Sequence, residues 1–294
     1  MRNETGGESG MPDTEVAPRR RGRPASGTAS EGGAEVQSLD RAIALLRVVA
    51  DQDGMALAEI ARRAELPVST VHRLLTTLEK RQLVNHDLST GLWTVGLGLF
   101  RIGSAYLRIR KLPDIGRPVI RRLLHETDET VNLAMFDAME LVVVAQAEAH
   151  APVRAFFRLG ARLPLHATAA GKAVLAAASP SFRGACLAQI RYEPFTTATR
   201  REERALMDDV AEILERGFAV DREEHAPGMR AVAAAILNEW REPIGAVSVS
   251  GPAVRMSEDR IQRLGRRVVA AAEQMTRLYS GADENLPQDY AAFR

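Results

Sequence analysis

The stretch GFAVDREEHAPGMRAVAAAI places Asp221, Glu223, Glu224 and His225 within five positions. Carboxylates and imidazoles hold metals or move protons, so several chemistries compete for this cluster. A metal site would need converging ligands, with His166 as a third candidate beside Glu223 and His225. The chain has no HExxH, no HxH and no repeated Asp spacing to support one. A nucleophile would need an elbow such as GxSxG, which is absent, and the single cysteine, Cys186, has no such context. A phosphate loop is equally unsupported, because the run from His166 to Lys172 matches neither GxGxxG nor GxxxxGK[ST].

Binding of a small anion fits better. Thr168, Ala169, Ala170 and Gly171 are small and lead straight into the helical run AGKAVLAA. A helix N-terminus presents unpaired N–H groups and partial positive charge, and small side chains let a carboxylate approach. In AVSVSG, Ser248 and Ser250 alternate with Val247 and Val249, so both hydroxyls face one side of a strand. Asp221 ends another strand, where it can accept from a ligand hydroxyl. No catalytic residue, metal ligand or cofactor is expected. The rival is an enzyme acting on a small carboxylate, with the acidic cluster as its acid/base pair; a metal-responsive regulator is a weaker one.

These residues need a body to position them. The chain has 294 residues, 46% of them hydrophobic, which suffices for one large or two ordinary globular domains. A net charge of +1 means that a nucleic-acid partner would have to be recognised by a local patch. One cysteine excludes an internal disulfide and a cysteine-based zinc finger, and fits a reducing cytoplasm. No apolar run has the length of a membrane span, and the polar N-terminus does not resemble a signal peptide. A cytoplasmic protein without a membrane partner is expected.

Residues 1–35 carry almost no large apolar side chains, so they are expected to form a disordered arm. Within the arm, Arg19, Arg20, Arg21 and Arg23 crowd around Gly22 and Pro24. Such an arm can lie in a minor groove, with Arg21 and Arg23 as the contacts, or it can simply solvate the tail. Residues 36–96 then show three short helical patterns. The first has Ser38 as N-cap and Leu39, Ala42, Ile43, Leu46 and Val49 on its face. The second carries Leu57, Ile60, Ala61 and Ala64. The third has Pro67 at its first position and buries Val71, Leu74, Leu75 and Leu78. Its outer face holds Ser69, Thr70, His72, Arg73, Thr76, Thr77 and Lys80, with no acid before Glu79. Hydroxyls and cations on an acid-poor helix suit the major groove of DNA, where acids would be repelled. The runs around Leu83-Val84 and Leu92 to Val95 flank a turn and predict a hairpin wing, with His86, Ser89 and Thr90 near its tip.

The stretch VQSLDRAIALLRVVADQDGMALAEIARRAELPVSTVHRLLTTLEKRQLV resembles the DNA-binding domain of the IclR family of bacterial transcriptional regulators. Ser69 to Leu75 match the core of that family's third helix. The resemblance extends through most of residues 36–280, and is nearest to the acetate-operon repressor branch, including the RGRP arm. It implies an α+β protein with five parts: the arm (1–35), a winged helix-turn-helix (36–96), a linker helix (97–112) that shares in dimer contacts, a GAF-like effector domain (113–280) and a loose tail (281–294). Helix and strand patterns in the last domain predict a mostly antiparallel sheet, with strands at 130–136, 140–148, 153–157, 217–221, 229–237 and 244–251. By position, the resemblance assigns the effector pocket to Ala155, Ala169, Ala170, Asp221, Ala231, Ser248 and Ser250. Glu223 and Glu224 are left to structure. Ala231 stands where relatives often have cysteine and Ala235 where many have proline, which implies a slightly wider pocket. The implied partners are double-stranded operator DNA, a second copy of the chain in a dimer or tetramer, and a small 2-oxo acid, glyoxylate first.

Overall fold

The computed structural model describes residues 36–109, 111–149 and 157–281. Arg21, Arg23 and Ala155 lie outside them, as does all of the expected strand at 153–157 except Phe157, which is not in a strand. The chain divides into two units between Leu99 and Phe100.

The first unit contains α1 (Gln37–Ala50), β1 (Met55–Ala56), α2 (Leu57–Arg63), α3 (Val68–Lys80), β2 (Val84–Asp87) and β3 (Leu92–Val95). Leu45, Val49, Ile60, Val71, Leu75 and Trp93 meet in one buried cluster. Burying each such side chain contributes roughly 1.5–3 kcal/mol relative to exposure. Leu74, expected among them, is only half-buried. Two helix starts differ from expectation by one or two residues. Val36, not Ser38, caps α1: its carbonyl accepts from the N–H groups of Leu39 and Asp40, and Ser38 falls inside the first turn. Pro67 is the cap of α3 rather than its first residue, and its carbonyl accepts from Thr70 N and Val71 N. The three strands form an antiparallel sheet in the order β1-β3-β2. His86 pairs with Trp93 across that ladder, and the two rings stack at 4.4 Å. His86 therefore stiffens the wing, and the tip is the turn after Asp87, whose carboxylate accepts from Ser89 N at 2.8 Å.

The division between the units falls within α4 (Leu97–Ile109). The expected linker ran to 112, but Leu112 is fully buried and opens α5 (Leu112–Thr127). Pro113 is tolerated in that first turn because an N–H there would have no intrahelical acceptor.

The second unit continues with β4 (Thr130–Asp137), β5 (Glu140–Ala147), α6 (Ala169–Ala177), α7 (Pro180–Leu187), α8 (Glu203–Arg216), β6 (Ala219–Arg222), β7 (Met229–Leu237), β8 (Pro243–Pro252) and α9 (Glu258–Tyr279). The strands form one sheet in the order β5-β4-β8-β7-β6, with every neighbouring pair antiparallel. Alternation sorts the side chains into two layers. Val131, Leu133, Val220, Val232, Val247 and Val249 face a core shared with α5 and α9. Ala134, Ala219, Ala233 and Ala246 face a second core shared with α6 and α8. Alanines on this face let α6, itself AAGKAVLAA, lie close to the sheet. The fold is thus α+β, an antiparallel sheet with helices on both faces.

Candidate DNA-recognition face and effector site

Burying Val71, Leu75 and Leu78 turns the polar side of α3 outward. Ser69, His72, Arg73, Thr77 and Lys80 are exposed, while Thr70 and Thr76 are half-buried. A groove lined by Thr70, His72, Arg73, Thr76, Thr77 and Lys80 also takes in Ser38 and Arg41 from α1. Of the expected residues on α3, all except Ser69 line this groove. The two α1 residues were missed in the sequence because their pattern is that of an ordinary helix; only packing brings α1 alongside α3. Thr77 differs in another way: its hydroxyl donates to Arg73 O at 2.8 Å, so its proton is already used within the helix.

In the second unit the sheet register assembles the anion site. Asp221 pairs with Ala231, Ala231 with Ser250 and Ser250 with Thr130, which makes one row across four strands. The adjacent row runs Ala219, Ala233, Ser248, Asn132, Gln146. Both rows face the α6 side. Ala169 and Ala170 are buried there in the same cluster as Ala219 and Ala233, with the half-buried Ala231 packed against it. Four expected residues, Asp221, Ala231, Ser248 and Ser250, therefore share one sheet face, and two more, Ala169 and Ala170, open the helix that covers it. Asp221 and Ser250 are two strands, roughly 10 Å, apart, with only the methyl group of Ala231 between them.

Two amide side chains were not foreseen. Gln146 Nε2 donates to Asn132 Oδ1 at 2.7 Å and to Phe157 O at 3.0 Å, and Asn132 Nδ2 donates to Ser250 Oγ at 3.2 Å. Ser250 thus accepts from Asn132 and keeps its own proton to give elsewhere. The sequence signal was weak: Asn132 is a lone polar residue inside the apolar strand TVNLAMF.

α6 is held firmly along its length. Thr168 caps it by accepting from Gly171 N. The N–H groups of Ala169 and Ala170 have no acceptor among the described residues. Gly171 is required, because a Cβ there would run into the backbone of Leu165 and Pro164. At the far end, Arg183 donates to the carbonyls of Leu175, Ala176 and Ala178. Between these ends Lys172, fully buried, gives its three protons to Asp209 at 2.8 Å and to both oxygens of Glu224 at 2.7 Å. Arg200 completes a fork onto Asp209 at 3.0 Å.

The acidic cluster near 220 separates into four roles. Glu224 is the ionic partner of Lys172. Glu223 has a left-handed backbone, φ 64°, and its carboxylate closes the loop by accepting from Gly228 N. The His225 ring packs between Phe157 and Phe195, and burial, with the nearby His166, pushes its pKa down. Asp221 accepts from Glu224 N at 2.7 Å. Burial, reinforced by the charge of Glu224, raises its carboxyl to about 7. Burial alone would also raise Asp209, but hydrogen bonds from Arg200 and Lys172 outweigh it and hold that group low. Among the described residues no three His, Cys, Asp or Glu side chains are grouped to hold a metal.

The IclR helix-turn-helix domain family matches residues 38–88, and the family of bacterial transcriptional regulator IclR C-terminal domains matches residues 104–277. The chain belongs to the IclR family. It is 41% identical to the HTH-type transcriptional regulator BhcR of Paracoccus denitrificans over 88% of this chain and 94% of that one. Identity to the acetate operon repressor of Salmonella typhimurium is 39%, over 90% of this chain and 97% of the relative; to the transcriptional repressor IclR of Escherichia coli it is 40%, over the same shares. The solved Thermotoga maritima IclR superposes with a TM-score of 0.68 at 27% identity, over 83% of this chain and 99% of that one. A Rhodococcus regulator superposes with a TM-score of 0.71 at 25% identity, over 85% of this chain and all of the other. These relatives are regulators, and this IclR-family chain is a DNA-binding transcriptional regulator rather than an enzyme. No helix among the described residues is long and apolar enough to cross a membrane.

Proposed function

We propose that this regulator binds operator DNA through α3 and releases or grips it according to the occupancy of the α6 site by a small 2-oxo acid, glyoxylate before pyruvate. The observation that carries this reading is the row Asp221–Ala231–Ser250 lying in the same buried layer as the uncommitted amides of Ala169 and Ala170. The amides suit a carboxylate. The hydroxyls of Ser248 and Ser250, with Asp221, suit the oxo end. Likeness to an acetate operon repressor supports a two-carbon acid. On the DNA side, Ser69, Thr70, His72, Arg73, Thr76 and Lys80 read the major groove, with Arg41 on its flank, and Arg21 and Arg23 enter the minor groove.

The regulator acts in the cytoplasm as a homodimer that can pair into a tetramer. Apolar side chains left in solvent support this: Leu39 and Ile43 on α1, and Leu97, Phe100 and Ile102 on α4. A ligand can shift such an assembly only by binding one of its states more tightly. The test is titration of the purified full chain, bound to its own promoter fragment, with glyoxylate and pyruvate, alongside calorimetry of the same acids. Stoichiometric binding without turnover, accompanied by a change in DNA affinity, is expected. DNA binding that ignores a saturating, bound acid refutes the sensor mechanism, and consumption of the acid returns the enzyme reading.

A further inference from the structure

The buried charges around the site do not balance. Lys172 is the buried cation, with the half-exposed Arg200 beside it, and Asp209, Glu224 and Asp221 are the three buried carboxylates. All three protons of Lys172 are spent on Asp209 and Glu224, and the Arg200 fork is spent on Asp209. Asp221 is left over. Nothing else packed around it supplies a cation. On its own strand, Arg222 pairs with Glu258 in solvent. On β7, Arg230 sits between Glu223 and Glu258. The loop that follows adds Glu224 at close range and His225, whose ring is held neutral by burial between two phenyl rings. His166 lies beyond Phe195, its ring nitrogen on Glu193 O. Strand β8 contributes only the hydroxyls of Ser248 and Ser250.

An anion brought to Ala169 and Ala170 would add a fourth negative charge to this interior. Two uncompensated charges cannot both be buried; the one able to take a proton does so. Resting on the effector reading above, we propose that Asp221 is the site's proton-accepting group: it holds the bound effector as a neutral carboxylic acid, and wherever Asp221 is ionised beforehand the anion enters together with one proton from solvent. As a neutral acid Asp221 donates, whereas the sequence alone suggests an acceptor. Together with Ser250, whose proton is directed away from Asn132, it gives the row two donors aimed at one small ligand. The site then selects carbonyl and carboxylate oxygens over hydroxyl groups. Burial that already raises Asp221 to about 7 places the transition in the range where the cell can use it.

The experiment is calorimetry of the full-length protein with sodium glyoxylate and sodium pyruvate from pH 6 to 8.5, in two buffers with different heats of ionisation. For the wild type, affinity is expected to fall by up to about tenfold per pH unit above about pH 7, while proton uptake per ligand rises from near zero at pH 6 towards one at pH 8.5. Asp221→Asn, which keeps a donor and the shape, is expected to bind with no proton uptake and a flat pH profile. Binding by the wild type with a flat profile and no proton uptake overturns the proposal. A carbon-13 carboxyl titration of the ligand-free protein, with Asp221→Asn to identify the resonance, separates the two levels of inference. A midpoint near 7 supports the uncompensated Asp221, and one near 4 overturns it. If neither acid binds, the effector reading fails and the linkage with it, while the titration still decides the charge state of Asp221.

Discussion

The two units build their candidate sites in opposite ways. On α3 the functional residues lie within twelve consecutive positions, face solvent and gain their chemistry from being acid-poor. In the effector unit they come from β4, β6, β7, β8 and the start of α6, lie under a cover and gain their chemistry from scarcity of cations. Charge on the first surface is screened by water and salt, so single residues there act almost independently. Charge in the second interior is not screened, so Lys172, Asp209, Glu224, Arg200 and Asp221 act as one unit. One change in the interior should therefore outweigh any one change on the recognition helix.

Lys172→Met is the severest way to test that contrast. It strands Glu224 without a cation, and losing one partner of a buried pair costs roughly 3–5 kcal/mol. Chemical denaturation should show that loss in the second unit. In a Trp240→Phe background, fluorescence of Trp93 follows the first unit, whose transition should move little. Adding Glu224→Gln should recover part of the loss; no recovery would mean that packing, not charge, was removed.

The pH dependence of stability sharpens the comparison next. The folded chain keeps a proton on Asp221 up to about pH 7, whereas an unfolded aspartate releases it near 3.8. Its contribution is therefore largest at the acid end and is lost as pH rises through 7, by on the order of 4 kcal/mol across that window. Asp221→Asn should flatten this fall, so that the variant gains on the wild type between pH 5 and 8 in thermal melts. Replacing an α3 residue such as His72 should leave that slope as it is.

Ser248→Ala with Ser250→Ala removes two hydroxyl bonds at roughly 0.5–1.5 kcal/mol each, which lowers effector affinity by about one to two orders of magnitude. Operator binding without effector should be retained. Equal acid affinity in the wild type and the double variant would move the pocket elsewhere. On the DNA side, Arg73→Ala should weaken operator binding by about 1–3 kcal/mol. Arg41→Ala, at the flank of the groove, should lose less and mainly reduce the salt dependence. A larger loss for Arg41 would place the contact centre on α1 instead of α3.

How much was legible follows from the distance over which each feature is encoded. A period of 3.6 on α3 and a period of 2 on β7 and β8 are local, so the recognition face and the shared face of Ser248 and Ser250 could be read from the residues in order. Helix starts slipped by a residue or two because a backbone carbonyl, at Val36 and at Pro67, served as the cap where a side chain or a proline ring was expected. The linker helix ends earlier than the sequence suggests because Leu112-Pro113 looks like a stop there, while burial of Leu112 makes it the start of α5.

By itself, the sequence determined the family, the α+β class, the winged helix-turn-helix and most of the residues on each candidate site. Only tertiary structure decided what those residues are to one another. It placed Asn132 and Gln146 behind Ser250, brought Arg41 onto the groove that Arg73 lines, and joined Lys172 to Glu224 across 52 positions. It also parted Glu224 from Asp221, three residues apart in the chain, into a paired ion and an unpaired acid. Composition counts charges without locating them. Whether a buried carboxylate keeps its charge depends on which cation reaches it through a low-dielectric interior, and that is a property of the packed fold.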